Sequence, residues 1–316
     1  MITCAPATTV VIVTYNSRVT IGETLDALYD AFQSGCIACI VVDNASNDGT
    51  ADFIADRYPW VILIRCSRNL GYGRGCNRSF EHVITRYLLF LNPDARIDLS
   101  ALTSLTNFME SHPSAGMCGP AVIEASGGLQ PSGGIPNPWK IMLKPLLPGW
   151  ASRGQRHVAP GEPPVETDWI CGSIMLLRKR VIDEIGGFDP RFFLYFEDTD
   201  LCYRTRQAGW ELWTVGESVC THVNAASAKT TKEHMMWGTI SEHYFKSRFY
   251  YLTKHFGRPW AIIAEIGELS FMFFRATVDL LRGSNSKNLK PRLRSPILKL
   301  PARVNDAEKN IPCIKH

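Results

Sequence analysis

The 316-residue sequence has little net charge, and this absence limits the kinds of partner it can have. Thirty-four lysines and arginines against 30 acids leave a formal charge of only +4. Nucleic-acid binding needs a strongly basic surface that neutralises phosphates, and a charge of this size does not indicate one. We therefore expect no nucleic-acid partner.

The sequence also lacks the marks of a secreted or zinc-stabilised protein. Its first residues contain neither the basic segment nor the long apolar run of a signal peptide, so a reducing cytoplasmic location is expected for the 10 cysteines. Cys36 and Cys39 form a C-x-x-C pair, but no second pair at zinc-site spacing accompanies it. The cysteines are therefore predicted to be ordinary thiols rather than a disulfide framework or a zinc centre.

The first ninety residues alternate between short apolar runs and amphipathic segments. Ile21, Leu25, Leu28 and Phe32 lie on one face of a predicted helix, with Ser17 as its N-cap. A Gly-rich loop after the third strand leads into a helix predicted to reach about Arg86. Fully apolar strands between helices predict an α/β fold with a Rossmann-like, mostly parallel sheet covered on both faces. The strands are predicted at 10–14, 39–42, 60–65 and 87–92.

The remainder of the chain begins with a different composition. Residues 124–168 are rich in glycine and proline and predict a long irregular excursion, which in compact domains is usually functional or mobile. Strands then return at WICGSIMLLRK and WELWTV, with a helix at RVIDEIGG between them. The last hundred residues are predicted to be helical, then basic and irregular from about Gly283.

Polar side chains follow three of the predicted strands where they end. Ligands of open α/β sheets bind beyond the carboxyl ends of the strands, so these residues predict a binding site. Asn and Asp also favour turns on their own account, but three such ends on one sheet make turn chemistry alone a weaker explanation. The residues are Thr14, Tyr15 and Asn16; Asp43 and Asn44; and Asn92 and Asp94.

The glycine-rich segment NLGYGRGCN has the spacing G-x-G-x-G and follows the third strand. A dinucleotide fingerprint needs its third glycine one place later and follows the first strand, so a Rossmann dehydrogenase is rejected. A flexible loop that brings backbone N–H groups and Arg74 close to a phosphate is compatible with the same residues.

Taken in order, these segments resemble a known family. VVIVTYNS, VVDNASNDGT, NLGYGRGCN and LFLNPDA resemble the nucleotide-sugar half of the family 2 inverting glycosyltransferases, which have the GT-A fold. DWICGSIMLLRK and GGFDPRFFLYFEDTDLCYRTRQAGW resemble the acceptor half of the rhamnosyltransferase-like members. The resemblance implies a nucleotide-sugar half at 1–125, an acceptor-binding and catalytic half at 126–230, a C-terminal helical extension at 231–283 and a basic tail at 284–316.

The resemblance implies a role for each strand end. Asp43 would accept a hydrogen bond from the imide N–H of a pyrimidine base. Asp94 matches the metal-binding acid of the family's D-x-D motif, whose first acid is replaced here by Asn92. His222 matches a metal-binding histidine, and the ion would be Mg²⁺ or Mn²⁺. The implied donor-binding residues are Thr14, Tyr15, Asn16, Asp43, Asn44, Gly71, Arg74, Asn77, Asn92 and Asp94.

RFFLYFEDTDLCYR places three acids beside an aromatic cluster. Inverting transfer needs a carboxylate base for the acceptor hydroxyl, and apolar walls raise the basicity of such a group. The resemblance makes Asp198 that base, with Glu197 beside it, while Asp200 and Arg204 have the spacing of a helical ion pair. Acids at a helix start also stabilise the helix, which is a structural alternative for Asp200. The implied acceptor-binding residues are Trp169, Gly172, Phe193 and Tyr195.

Residues 260–283 are largely apolar but contain four charges, which is more than a membrane-spanning helix favours. Glu265, Glu268, Arg275 and Asp279 fall in one stripe of a helical wheel. Such a helix can lie on a membrane, helped by the basic tail, or it can pack against the catalytic domain or a second subunit. Peripheral contact with the inner face of the cytoplasmic membrane is the prediction, and homo-oligomer formation stays open.

The function expected from the resemblance is transfer of L-rhamnose from dTDP-rhamnose to a glycan or a lipid-linked glycan precursor. Relatives that use UDP-sugars share these motifs. A nucleotidyltransferase would need a basic, glycine-rich loop directly after the first strand, where Tyr15, Asn16 and Ser17 stand. A non-catalytic sugar-binding scaffold is expected to have lost Asp94 or Asp198, and both are present.

Overall fold

A computed structural model describes residues 6–222 and 239–281. The chain divides into two compact units, each described by itself below. The first unit comprises residues 1–136 and 152–234, and the second comprises residues 137–151 and 235–316. Part of the predicted irregular excursion therefore belongs with the C-terminal helices.

The first unit is built on a nine-stranded sheet in the order β3-β2-β1-β4-β10-β6-β11-β5, with β9 paired to β11. Neighbours are parallel from β3 to β4 and between β6 and β11, whereas β10 is antiparallel to both β4 and β6. The predicted mostly parallel sheet is confirmed. Its strands are β1 Thr8–Thr14, β2 Ile37–Asp43, β3 Ile62–Arg65, β4 Tyr87–Leu91, β5 Ala95–Arg96, β6 Ala115–Glu124, β9 Val165–Thr167, β10 Ile174–Arg178 and β11 Glu211–His222; β7 Ser132–Gly133 and β8 Gln155–Arg156 form a separate pair.

Helices cover both faces of this sheet, as predicted. Val10 and Ile12 of β1 belong to one buried cluster, and Val11 and Val13 belong to the other. Successive side chains of a strand point to opposite faces, so β1 is buried on both sides. The helices of this unit are α1 Ile21–Gln33, α2 Thr50–Arg57, α3 Tyr72–Asn77, α4 Leu99–Ser111, α7 Lys179–Ile185 and α8 Glu197–Gln207.

Three local predictions were wrong. Ser17 is not an N-cap: α1 begins at Ile21 after Thr20, and the Ser17 carbonyl accepts the N–H groups of both residues in a preceding turn. The helix after the Gly-rich loop does not reach Arg86, because two glycines weaken its six residues and it ends at Asn77. The 124–168 excursion is not wholly irregular, since it contains β7, β8, β9 and two short helices.

The second unit contains α5 Pro138–Leu143, α6 Pro148–Ala151, α9 Thr239–Phe256 and α10 Arg258–Leu281. The Asn137 side chain caps α5 by accepting the Lys140 N–H, and proline follows at the first helical position. Met142 of α5 lies against Gly267 of α10. Within residues 6–222 and 239–281, none of the helices combines the length and apolar character needed to cross a bilayer.

Candidate active site

The ends of β1 and β2 are joined through Asp43. The Thr14 hydroxyl donates to Asp43 Oδ1 at 3.0 Å, and the Ser46 N–H donates to Oδ2 at 3.0 Å. Both Thr14 and Asp43 are buried. Each carboxylate oxygen thus already has a donor, and Asp43 is held as a fixed acceptor at the strand ends.

Tyr15 and Asn16 form the rim above Asp43. Tyr15 is 45% exposed, so its ring faces solvent beside the strand ends. Asn16 has φ 53, a left-handed backbone that non-glycine residues adopt only at some cost. Its N–H donates to Ser46 Oγ at 2.9 Å, and its Oδ1 accepts the Asn47 N–H at 2.9 Å. These bonds tie the loop after β1 to the loop after β2.

The Asn44 amide attaches the Gly-rich loop to the end of β2. Its Nδ2 donates to the Gly71 carbonyl at 3.0 Å, while its Oδ1 accepts the Leu70 N–H at 3.4 Å. Gly71 has φ +84, and a Cβ there would collide with the Phe193 carbonyl. Glycine is required at 71 for both reasons, and the close approach lets the Tyr72 N–H bond that carbonyl at 3.2 Å.

Arg74 and Asn77 are placed differently from the other predicted donor residues. Arg74 Nε donates to the Pro190 carbonyl. Asn77 donates to the Phe188 carbonyl at 2.8 Å and accepts the Phe188 N–H at 3.0 Å. In this structure both side chains fix the segment that leads to α8.

Asp94, His222 and Asn92 come together beyond the end of β4. Asp94 Oδ1 lies 3.1 Å from His222 Nε2, and Asn92 Nδ2 lies 3.4 Å from the same nitrogen. Asp94 and His222 are buried, and His222 Nδ1 has no hydrogen-bond partner in the described part of the chain. The sequence separation of 128 residues is closed because β11 pairs with β5, where His222 lies opposite Ala95.

The chemical types of these side chains suit the binding of a divalent cation. A carboxylate and an imidazole already converge, and the Asn92 amide can present its oxygen after a half-turn. Among residues 6–222 and 239–281, no three His, Cys, Asp or Glu side chains form a complete cage. Mg²⁺ and Mn²⁺ ions commonly complete their coordination with water and substrate phosphate, so two or three protein ligands are compatible with such an ion.

The acidic turn at the start of α8 follows two strained residues. Tyr195 has φ 67 and Phe196 has φ 66, both in the left-handed region. Consecutive non-glycine residues in this region are costly and are found where a function requires the geometry. The turn delivers Glu197 and Asp198 to the first turn of the helix, where the helix dipole favours negative charge.

Asp198 and Glu197 differ in how their oxygens are bonded. Asp198 Oδ2 accepts the Gly172 N–H at 3.0 Å, and Oδ1 accepts the Thr199 N–H at 2.6 Å. Glu197 is buried and its Oε2 has no partner in the described chain. Burial, followed by the Asp198 charge, raises the pKa of Glu197 to about 8. Burial also raises the pKa of Asp198, against the lowering effect of its N–H donors.

Gly172 and Ser173 connect the two acidic regions. Gly172 donates its N–H to Asp198, and the next residue, Ser173, accepts the Asn92 N–H at 2.9 Å. The Tyr72 hydroxyl donates to the Gly172 carbonyl at 3.1 Å. Sequence reasoning named Gly172 but missed Tyr72 and Ser173, although the tyrosine between two glycines of the loop was a usable signal.

The remaining predicted acceptor-binding residues are Trp169, Phe193 and Tyr195, which are near Gly172 or α8 in the sequence. Trp169 is partly buried, and its Nε1 has no hydrogen-bond partner in the described chain. Phe193 and Tyr195 are partly exposed beside α8. The predicted ion pair is confirmed: Arg204 Nε lies 2.7 Å from Asp200 Oδ2, and the guanidinium also binds the carbonyls of residues 185 and 187. Asp200 is therefore structural, and the acids left at the site are Glu197 and Asp198.

Proteins of similar sequence include bacterial rhamnosyltransferases. An N-acetylglucosaminyl-diphospho-decaprenol L-rhamnosyltransferase of Mycobacterium tuberculosis is 27% identical over 279 residues, covering 80% of this chain and 88% of the relative. The dTDP-rhamnosyl transferase RfbF of Shigella flexneri is 26% identical over 204 residues, covering 63% of each protein.

Solved glycosyltransferases share the fold at low identity. The mannosyltransferase PcManGT from Pyrobaculum calidifontis, in complex with GDP-Man and Mn²⁺, has a TM-score of 0.54 and 16% identity, covering 92% of this chain and 85% of that one. GalNAc-T7, with UDP, GalNAc and Mn²⁺, has a TM-score of 0.58 and 14% identity, covering 88% of this chain and 58% of that one. The predicted GT-A fold is confirmed by these similarities.

Two family models match the chain, and together they include the residues of both acidic regions. Glycosyl transferase family 2 matches residues 9–186, which include the ends of β1, β2 and β4. Glycosyltransferase like family 2 matches residues 165–241, which include the acidic turn of α8 and His222. Since the first model alone covers more than half of the sequence, and the relatives of similar sequence include rhamnosyltransferases, the chain belongs to glycosyl transferase family 2 and is rhamnosyltransferase-like.

Proposed function

We propose that this transferase moves L-rhamnose from dTDP-rhamnose to a glycan or a lipid-linked glycan precursor, with inversion at the anomeric carbon. The observation that carries the proposal is the pair of acidic centres joined through residues 172 and 173. One centre, Asp94 with His222, suits a nucleotide diphosphate with its cation. The other, Asp198 with Glu197, suits a base for an acceptor hydroxyl.

The proposed reaction is a single displacement. The acceptor hydroxyl gives its proton to the Asp198 carboxylate while its oxygen bonds to the anomeric carbon. The bond between that carbon and the diphosphate oxygen breaks, and the nucleoside diphosphate leaves. A divalent ion, when bound by Asp94 and His222, supplies positive charge to the departing diphosphate. Burial raises the pKa of Asp198, which makes its carboxylate a better proton acceptor than an exposed aspartate.

The donor-binding proposal rests on the strand ends and the Gly-rich loop. Asp43 is proposed to accept a hydrogen bond from the imide N–H of thymine, and this is supported by its position at the strand ends with Thr14, Tyr15, Asn16 and Asn44. The loop backbone at Gly71 is the proposed diphosphate contact. Arg74 and Asn77 are proposed to act by holding this loop against the residues before α8, in addition to the donor contact that the family resemblance implies.

The sugar and the acceptor are proposed from the relatives. The names of the Mycobacterium and Shigella proteins specify rhamnose, dTDP-rhamnose and a diphospho-decaprenol acceptor. A lipid-linked acceptor places the enzyme at the cytoplasmic face of a membrane in cell-surface polysaccharide synthesis. Trp169, Gly172, Phe193 and Tyr195 are the proposed acceptor contacts. The proposed halves are 1–125 for the donor and 126–230 for the acceptor and catalysis, without residues 137–151, which group with the second unit.

A screen of nucleotide sugars tests this function. Purified protein would be incubated with dTDP-rhamnose, UDP-glucose, UDP-N-acetylglucosamine or GDP-mannose, each with Mg²⁺ or Mn²⁺, and released nucleoside diphosphate would be measured. We expect the fastest hydrolysis from dTDP-rhamnose and none after chelation. Faster turnover of a UDP-sugar would replace the donor while leaving the transferase class intact.

A further inference from the structure

The exposed surface of α10 contains a broad stripe without charged side chains, flanked by the exposed Arg258 on one side and Arg275 on the other. Phe274 is 64% exposed and Leu281 is 82% exposed. At 100° per residue, the exposed uncharged positions form one stripe about 160° wide and about 30 Å long. We call this stripe the apolar face of α10; it consists of Pro259, Trp260, Ile263, Ile266, Ser270, Phe273, Phe274, Thr277, Leu280 and Leu281.

Two acids of α10, Glu265 and Glu268, are instead turned into the second unit. Glu265 and Glu268 are buried and both bind Arg248 of α9. Arg248 Nε donates to Glu265 Oε1 at 2.9 Å, and Nη2 donates to Glu268 Oε2 at 2.6 Å. Glu265 and Glu268 of the predicted charged stripe therefore face protein, whereas Arg275 is exposed. A helix at a water-exposed surface has the reverse arrangement, with apolar residues inward and charges outward.

Neighbouring residues of the second unit extend the apolar surface. Trp139 of α5 lies beside Trp260, with ring centroids 5.3 Å apart, and both rings are about half exposed. Leu146 and Leu147, between α5 and α6, are also exposed. Contiguous apolar patches of this extent mark interaction sites, and tryptophan is favoured where apolar and aqueous environments meet.

The sequence after α10 indicates what covers this face. Between residues 282 and 305 it contains several lysines and arginines and no acid, which is the composition of a segment attracted to anionic lipid. No described helix can cross a bilayer, so the fitting arrangement is a helix lying in the interface. The basic residues include Lys287, Lys290, Arg292, Arg294, Lys299 and Arg303.

We propose that the apolar face of α10 is a docking surface for an anionic lipid bilayer, with Trp139 and Trp260 at one end of the contact. The proposal deepens the membrane contact in the proposed function by naming the surface and the lipid charge. Buried pairing of Glu265 and Glu268 with Arg248 keeps these two acids away from the lipid. Docking in this way would hold the enzyme beside a lipid-linked acceptor.

Flotation of the full chain with vesicles tests the proposal. The wild type is expected to float with phosphatidylcholine vesicles containing phosphatidylglycerol at low salt, and to be partly released as salt screens the basic segment. The double variant Phe273→Glu and Phe274→Glu is expected to lose at least tenfold in vesicle partitioning, because two exposed rings no longer enter the interface. Absence of wild-type flotation at low salt would overturn the proposal.

The matched control is Ile84→Glu, which places a new charge at an isoleucine of the first unit that is 89% exposed. It is expected to float like the wild type, and equal losses in the control and the double variant would contradict docking through α10. Lys290→Gln, Arg292→Gln and Arg294→Gln together are expected to remove the preference for phosphatidylglycerol.

A self-association measurement separates lipid docking from a protein interface. In sedimentation without lipid, the wild type and the double variant are expected to have the same mass. A wild-type dimer that the double variant abolishes would assign the face to a second copy and overturn the proposal. Hydrolysis of soluble nucleotide sugar should be unchanged in the double variant, so failure of docking and failure of the proposed function are distinguishable.

Discussion

The acids at the strand ends and the acids at the start of α8 are satisfied in different ways. At the strand ends, Asp43 receives a donor on each carboxylate oxygen, and Asp94 is paired with His222. At α8, Asp198 also has a donor on each oxygen, but Glu197 has a buried oxygen without a partner in the described chain, and burial raises the pKa of both acids. Hydrogen-bond donors stabilise the carboxylate anion, whereas loss of hydration raises the pKa and makes the group a better proton acceptor. At Asp198 burial outweighs the two N–H donors, and the pKa is raised. The first region is thus suited to holding a donor and the second to proton transfer.

The largest effect is expected from Asp198→Asn, which tests the role of the α8 acids in proton transfer. The amide cannot accept the acceptor proton, and positioned base catalysis contributes about 10²- to 10⁴-fold, so the transfer rate should fall at least that much. Transfer rates at saturating donor would measure the effect. Asp183→Asn, which changes an exposed acid paired with Lys179, serves as the control. A variant at 198 with near wild-type transfer would remove Asp198 from the role of base.

A second test concerns the metal side. Asp94→Ala should weaken metal-dependent donor binding by at least about 100-fold, since changes even to residues behind metal ligands cost about 10- to 100-fold. His222→Ala should act in the same direction more mildly. Titration calorimetry with and without chelator measures both. If neither the chelator nor either substitution changed the affinity for the nucleotide sugar, a metal-independent mechanism would be favoured.

A smaller effect is expected from Asp43→Ala. Loss of a hydrogen bond to a charged group costs about 1.5–3 kcal/mol, and the imide N–H is common to thymine and uracil. Affinities for thymidine diphosphate and uridine diphosphate should therefore fall together. Asp52→Ala, at an exposed acid of α2, should leave both unchanged. If calorimetry gave unchanged values for the Asp43 variant, the base would have to bind elsewhere.

The smallest effect is on stability. The pKa of Glu197 is raised to about 8 from an ordinary value of 4.5, so the folded protein favours the protonated form. Ionisation then costs stability above pH 4.5, increasingly up to about pH 8. Glu197→Gln should match the wild type near pH 4.5 and be more stable at pH 8, by on the order of 1–3 kcal/mol. Urea unfolding at both pH values checks this, with exposed Glu217→Gln as the control; a gain independent of pH would exclude the ionisation of Glu197 as its cause.

Local pattern predicted the sheet and most of its strand ends. Strands buried on both faces are continuously apolar, so the runs at β1, β2 and β4 were unambiguous, and the polar residues after them marked the site. The Asp200–Arg204 pair followed from helical spacing alone. These features depend on residues close in sequence, where periodicity determines geometry.

Long-range contacts could not be predicted in this way. Nothing in the local sequence places Ser173 beside Asn92, Tyr72 beside Gly172, or Asn77 against Phe188. The sequence grouped Glu265 and Glu268 on one side of α10, but their burial depends on Arg248 of another helix. The short helix α5 was not predicted, because the surrounding glycines and prolines favour an irregular segment. The Asn137-Pro138 pair is nevertheless a signal for the start of a helix.

The most direct test of the central claim is donor affinity measured on Asp198→Asn and Asp94→Ala in parallel, each with Mn²⁺ and with chelator. If the strand-end acids hold the donor and the α8 acids move the proton, Asp198→Asn should bind dTDP-rhamnose as the wild type does and lose that affinity on chelation. Asp94→Ala should bind weakly under both conditions. Equal loss of donor affinity in the two variants would contradict the division of roles between the two regions.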